Sequence, residues 1–233
     1  LDPTPYFAGR ELSMTTGEPD MHVAFALRFS VYCRECRFLP EEKYPDGLER
    51  DAFDSVSTHF GAFNRAQELV GYVRLVPPDA GGRLPWEARF KSLLAGTSLP
   101  VPDSAAEISR LMVRADYRRR RGDTLSGVAR PEVHLLRLRN RRTASPQILL
   151  ALYREMYRYS LRQGLRYWYA AMERPLARSL KGLDFAFRQV GHEADYFGPV
   201  APYLADLRDL ESHLVRSRPE LLAWLQADPD AMA

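Results

Sequence analysis

Cysteine is nearly missing from this chain: its 233 residues hold two, Cys33 and Cys36, in a single C-x-x-C. One such pair cannot staple a disulfide-built fold, and a structural zinc site would need a second pair of ligands. A redox pair would want a βαβ setting, which the flanking sequence does not provide. Both thiols sit in an apolar helical stretch, where free cysteine acts as a small hydrophobe. No apolar run approaches the roughly 20 residues needed to span a bilayer. The opening LDPTPYFAGRE has no basic stretch followed by an apolar one, so no signal peptide is expected and a cytoplasmic location is. There is no internal repeat and no low-complexity linker. The 5 His lack ligand-like spacing, so no metal site is expected. Lysine is scarce too: of 33 Lys and Arg, only Lys43, Lys91 and Lys181 are lysine.

What remains is ordinary globular material, 45% hydrophobic and 27% charged, enough for a real core. The net charge is only +3, but it is unevenly spread. Residues 114–142 hold ten Arg against Asp116, Asp123 and Glu132, a local charge of +7 that leaves −4 for the rest. One basic segment on a mildly acidic body points to a local acidic partner. Nucleic acid is the weaker candidate, because the segment lacks recognition-helix or zinc-finger signatures and interleaved aromatics for base stacking.

Along the chain, residues 1–21 read as a polar arm. His22 to Phe38 carries helical spacing, with Ala26, Phe29, Cys33 and Cys36 on one stripe, and Pro40 ends it. Residues 40–54 are acidic, aromatic and turn-rich, a loop. Residues 58–64 and 68–76 read as a β-hairpin across a short polar turn, and 106–113 as a further strand. Residues 147–163 form an amphipathic helix closed by Gly164. Strand 165–172, a short helix 175–183 and late strands at 185–190 and 203–207 follow, with a helical tail over 210–233. The expected body is therefore 22–209, with an Arg-rich insertion at about 114–146. The order predicts an α/β fold, a mixed and mostly antiparallel sheet flanked by helices rather than a regular doubly wound one.

Four polar elements stand in order through the first half. Arg28 lies in LRFSVY, with Tyr32 one turn on and Phe38 after it. Glu49-Arg50-Asp51-Ala52-Phe53-Asp54 follows, then Leu69 to Leu75 with Arg74 near its end, then Glu107-Ile108-Ser109-Arg110. Together they resemble the GNAT-type acyl-homoserine-lactone (autoinducer) synthases and, more closely, the exosortase-associated N-acyl amino acid synthases. The phrases Val31-Tyr32-Cys33 and Tyr44 to Glu49 carry the second likeness. Phe38 stands where the autoinducer type has Trp, and Leu111 where it has Phe, which favours an amino acid acceptor over a lactone product.

The resemblance implies transfer of an acyl group from a thioester to an amine, with no permanently bound cofactor. Such an enzyme must hold two reactants together, take a proton from an ammonium and stabilise an oxyanion. Glu107 is the first candidate base, with Glu49 and Asp51 behind it. Arg28, Tyr32, Phe38, Asp54, Arg74, Ser109 and Arg110 are expected around the acceptor. Arg28 either forks onto an acceptor carboxylate or joins an ion-pair network with Asp51, Asp54, Arg74, Glu107 and Arg110. His59, beside Phe60, reads first as a packed strand residue and second as a base. Tyr167, Trp168 and Tyr169 read as core, with one face free to line an acyl tunnel. Arg119-Arg120-Arg121-Gly122-Asp123-Thr124 matches only the first half of the family's donor loop, Q/R-x-x-G-x-G/A. The donor is thus expected on an acyl carrier protein rather than coenzyme A, met by Arg119, Arg121, Gly122, Arg137, Arg139, Arg141 and Arg142.

Overall fold

The computed structural model describes residues 7–14, 19–118, 145–196 and 198–227. The elements are strand β1 (Phe7–Leu12), helix α1 (Pro19–Phe29), β2 (Thr58–Asn64), β3 (Leu69–Val76), β4 (Ala105–Val113), α2 (Ser145–Arg162), β5 (Tyr167–Met172), α3 (Arg174–Gly182), β6 (Arg188–Gln189), β7 (Ala194–Asp195), β8 (Pro199–Asp206), α4 (Leu207–Ser217) and α5 (Pro219–Gln226). Among the described residues eight strands form one sheet in the order β1-β2-β3-β4-β5-β8-β6, with β7 on β8. Every pairing is antiparallel except β4 with β5. The α/β reading with a mixed, mostly antiparallel sheet is thus what the chain builds.

Two differences from the sequence reading are informative. Residues 7–12, taken as part of an arm, are the edge strand: Phe7 and Leu12 are buried while the residues between them are more open. The short apolar content hid this, since Phe7 and Leu12 are its buried apolar side chains and Gly9, which lies against α2, has none. The helical tail is also core rather than appendage, because Leu210, Leu214, Leu221, Leu222 and Leu225 pack into the same cluster as α2.

That cluster lies on one face of the sheet. Ile148, Leu149, Leu152 and Met156 of α2 meet Phe60, Val70, Val73 and Leu75, and also Ala106 and Ile108 of β4. The approach is close enough that a Cβ on Gly71 would stand 2.5 Å from Ile148 Cγ2, so only glycine lets the helix settle there. Gly164, at φ +70°, closes α2 as its spacing predicts. On the other face α1 packs through Met21, Ala24, Phe25 and Leu27, with Val31 just beyond its end, against Phe63, Leu69, Tyr72 and Met112. The buried face of α1 keeps Phe29 of the apolar stripe read from the sequence and extends beyond it through Met21, Ala24, Phe25 and Leu27. Arg28 is buried on that face too and breaks its apolar pattern.

Candidate active site

Strands β4 and β5 pair in parallel only from Ala105 to Ile108, against Tyr167 to Ala170. Beyond that they part, and among the described residues the backbone of β4 from Ser109 on has no strand partner on its β5 side. On its other side β4 is irregular. Tyr72 faces Met112 and Arg74 faces Ser109, so two residues of β4, Arg110 and Leu111, stand opposite Val73 alone. Arg110 absorbs this bulge at φ +58°, an uncommon conformation for a non-glycine residue. Bulge and parting strands together open a cavity of about 490 Å³ in the middle of the sheet.

The cavity has two unlike halves. Tyr32, Phe38, Tyr44, Asp51, Phe53, Arg74, Ser109 and Arg110 make one wall aromatic and charged. Ile108, Leu111, Ala170, Met172, Leu176 and Leu180 belong to an apolar one. Glu107 and Trp86 also line it. The continuation of α1 helps to place the aromatic side. Residues Ser30–Glu35 wind as a π-helix, with Cys36 N–H donating to Val31 C=O at 3.0 Å. This widened turn carries Tyr32, which packs edge-on against Phe38 at 6.0 Å and lies 4.8 Å from the Arg110 guanidinium.

Behind the polar wall lies a network of three arginines and three carboxylates. Arg28 donates from Nε to Glu49 at 2.5 Å and from Nη1 to Asp54 at 2.5 Å. Arg74 forks onto Asp51 with two bonds of 2.7 Å and also reaches Asp54. Arg110 binds Glu49 and Asp51 at 3.0 Å each. Asp54 also accepts the Asp51 backbone N–H at 2.8 Å, which fixes the loop. The charges cancel, as burial of so many ions requires. Burial alone would raise the Asp51 carboxyl, yet Arg74, then Arg110 and Arg28, bring it down to about 2. Glu49 is lowered in the same way, by Arg28 and Arg110 against burial.

The structure brings most of the sequence candidates together, with three changes. Arg28 is 0% exposed and forms no part of the cavity wall, so a fork onto an acceptor carboxylate does not fit it. Among the described residues its Nη2 has no hydrogen-bond partner, but that atom is buried as well and lies 3.9 Å from Asp51 Oδ2. Glu49 and Asp54 likewise lie behind the wall. The expected network also exchanges one member: Glu49 is inside it and Glu107 is outside. Ala106 and Ile108 point into the α2 layer, so Glu107 points to the opposite face, where the segment before β4 crosses it. There it accepts the Trp86 backbone N–H at 2.7 Å. Glu107 is 7% exposed, and burial pushes its carboxyl up to about 8 against the pull of Trp86 N–H and Arg74.

His59 is a packed residue. Its Nδ1 lies 2.6 Å from Tyr72 Oη and its Nε2 2.9 Å from Asp54 C=O, so Nε2 carries the proton and Tyr72 donates to Nδ1. Burial lowers its basicity further. Cys33 is buried and Cys36 partly so, both as free thiols raised by burial. Trp168 and Tyr169 belong to the core, and the cavity takes their neighbours Ala170 and Met172 instead. Sequence reading missed Trp86, Met172, Leu176, Leu180 and Tyr153, for apolar residues carry no chemical signature. The Gly81-Gly82 turn leading to Pro85-Trp86 was the only hint. Arg119, Arg121, Gly122, Arg137, Arg139, Arg141 and Arg142 lie outside the described residues.

Residues 27–127 match the family model of the acetyltransferase (GNAT) domain. The chain has the GNAT fold. The acyl-homoserine-lactone synthase of Aeromonas hydrophila is 26% identical over 146 residues, 63% of this chain and 60% of that protein. The chain thus matches somewhat less than two thirds of this relative's length. Among solved structures of the GNAT fold, TofI in a ternary complex with an inhibitor and MTA superposes at TM-score 0.62, with 14% identity over 96% of this chain and 98% of that one. BjaI, a CoA-dependent acyl-homoserine lactone synthase with SAM and isopentyl-CoA, gives 0.60, with 19% identity over 90% and 89%. FeeM, an N-acyl amino acid synthase from uncultured soil microbes, gives 0.53, with 14% identity over 88% and 93%. No helix among the described residues is long and apolar enough to cross a membrane.

Proposed function

We propose that the chain is an N-acyltransferase that moves an acyl group from a thioester, carried on an acyl carrier protein, to the amine of an amino acid or related small amine. The observation that carries this reading is Glu107: a carboxyl raised to about 8, unpaired with any arginine of the network, at the junction of an apolar and a charged half-cavity. A base of that strength suits an ammonium acceptor far better than a carboxylate at its ordinary value. Glu49 and Asp51, lowered by their arginines, serve as pairing partners rather than bases.

In this scheme the acyl chain lies along the apolar wall and the acceptor along the aromatic one. Arg110 and Arg74 line the acceptor side, and among the described residues the Arg110 Nη1 atom has no hydrogen-bond partner, so Arg110 offers the contact for an acceptor carboxylate. Glu107, once ionised, takes one proton from the ammonium. The freed nitrogen attacks the thioester carbonyl, whose oxygen becomes negative near the unpartnered β4 backbone. Collapse breaks the C–S bond, the nitrogen gives up its second proton, and the leaving thiolate takes one. No covalent enzyme intermediate forms.

Mass spectrometry of lipid extracts from cells expressing the chain tests the reading. An N-acyl amino acid is the expected product. An N-acyl homoserine lactone would assign the chain to the second reading, which the Aeromonas relative favours. The absence of either product would leave a binding module built on the Arg-rich segment.

The donor has its own test. The +7 segment over 114–142 suits the acidic surface of a carrier protein, an attraction that is long-range and screened by salt. Replacing Arg137, Arg139, Arg141 and Arg142 with Ser is expected to raise KM for acyl-carrier donors. That penalty should fade once ionic strength brings the Debye length below about 8 Å. A short acyl-pantetheine donor should react normally. Equal loss with both donors, measured in steady-state assays, would tie the segment to the active site itself, and an acyl-CoA preference would replace the carrier protein.

A further inference from the structure

Glu107 and Tyr169 stand side by side in register, on the stretch where β4 and β5 still pair. Both belong to the sheet face opposite α2. There Tyr169 joins Leu84, Trp86, Phe90, Val190 and Leu204 in a cluster separate from the core beneath α2. The cluster pins the segment before β4 onto the sheet. Within it the Trp86 indole stacks on the Tyr169 ring, centroids 5.3 Å apart and planes 18° from parallel. Trp86 is buried, and among the described residues its Nε1 has no hydrogen-bond partner. Packing alone therefore places the indole, with Tyr169 as its flat seat. The turn that carries it, Pro85–Ala88, is a single helical turn, closed by Glu87 Oε1 accepting the Leu84 N–H at 2.8 Å. So short a helix holds its shape by packing rather than by its own hydrogen bonds. From that turn the Trp86 N–H donates to Glu107 Oε2 at 2.7 Å, which leaves Oε1 for a substrate proton.

We propose that Tyr169 is a positioning residue for the proton acceptor: its ring seats Trp86, and Trp86 closes over the Glu107 carboxyl and holds it in place. Tyr169 lines no part of the cavity, so it acts through Trp86 and not on a substrate. Trp86 bears on Glu107 in two opposed ways. Its covering keeps water away and raises the carboxyl, while its N–H lowers it. Burial is the larger of the two, so lifting Trp86 off brings the carboxyl down. The consequence for turnover rests on the acyl-transfer reading; the seating of Trp86 does not.

The test uses the full chain and two readouts, the pH profile of kcat/KM and the titration of Glu107 without substrate. The second is read by NMR of carboxyl-labelled glutamate, with the Glu107 signal assigned by its loss in Glu107→Gln. Tyr169→Leu stays apolar but removes the seat. Its Glu107 midpoint is expected to fall from about 8 toward the ordinary carboxylate range in both readouts. With a weaker base, its kcat/KM at high pH should drop by about tenfold. Tyr169→Phe keeps the ring and should return the midpoint to the wild-type position. Trp86→Leu breaks the same stack from the other side, outside the strands, and serves if Tyr169→Leu does not fold; its midpoint should fall too. A residue that merely supports the fold would lower the rate and leave the midpoint near 8. That result, or a Tyr169→Phe midpoint as low as that of Tyr169→Leu, overturns the proposal. No acyl product from the wild type with any donor overturns the acyl-transfer reading alone, and the substrate-free titration still decides whether Tyr169 seats Trp86 over Glu107.

Discussion

Glu107→Gln is expected to fold and to lose turnover by on the order of 10²-fold or more, the usual cost of a lost general base. The amide keeps the acceptor oxygen that meets Trp86 N–H at 2.7 Å, so the segment crossing β4 stays in place. The wild-type profile should carry the same signature. Only ionised Glu107 can take a proton, so kcat/KM should climb as pH rises toward the carboxyl's value of about 8 and level off above it. Stability should move the other way. A carboxyl raised by folding binds its proton more tightly in the native state, so its contribution is complete below the unfolded value and is lost as pH rises through about 8. Glutamine cannot ionise. The melting temperature of Glu107→Gln relative to wild type should therefore improve from pH 6 to pH 9 while its activity stays low. An early-melting variant with near-normal turnover would make Glu107 a structural residue.

The elements with a strong local rhythm were legible in the sequence. The β2–β3 hairpin showed its two apolar runs and polar turn, β4 its alternation, and α2 its stripe and closing glycine. What was hidden depended on partners distant in the chain. The edge strand β1 buries just two apolar side chains, Phe7 and Leu12, too little for a pattern. The buried face of α1 was read too narrowly because it includes Arg28, and local periodicity reads an arginine as solvent-facing. The polar set of the site was legible as residues but not as pairs. Nothing in the spacing tells that Glu49, 21 positions from Arg28, pairs with it, whereas Glu107, three positions from Arg110, faces a tryptophan backbone instead. That distinction decides the chemistry: the same residue type is lowered in one place and raised in the other. The apolar wall had no sequence signature at all, since Met172, Leu176 and Leu180 become a site only when β4 and β5 part.

Arg28→Met is expected to be the most destabilising single change at the site, by about 3–5 kcal/mol, the cost of breaking a buried ion pair from one side. Arg28 is fully buried; besides a longer bond to Tyr72 Oη it donates to Glu49 and Asp54, themselves out of reach of solvent. Methionine fills part of the volume but leaves both carboxylates short of a cation. Arg110 still reaches Glu49 and Arg74 still reaches Asp54, so the network goes from balanced to net negative rather than falling apart. The sign of the pH effect follows from that. Excess buried negative charge raises the carboxyl values in the folded variant, and a raised acid gives stability that is present at low pH and lost as pH rises. The gap between wild type and variant, read by urea unfolding, should therefore narrow from pH 8 to pH 5. A residue clamping an acceptor carboxylate would behave differently: removing it would leave the unfolding midpoint in place and raise the acceptor KM alone. Unfolding curves that coincide at both pH values, with such a KM effect, would return Arg28 to the binding site and contradict the buried pairing described here.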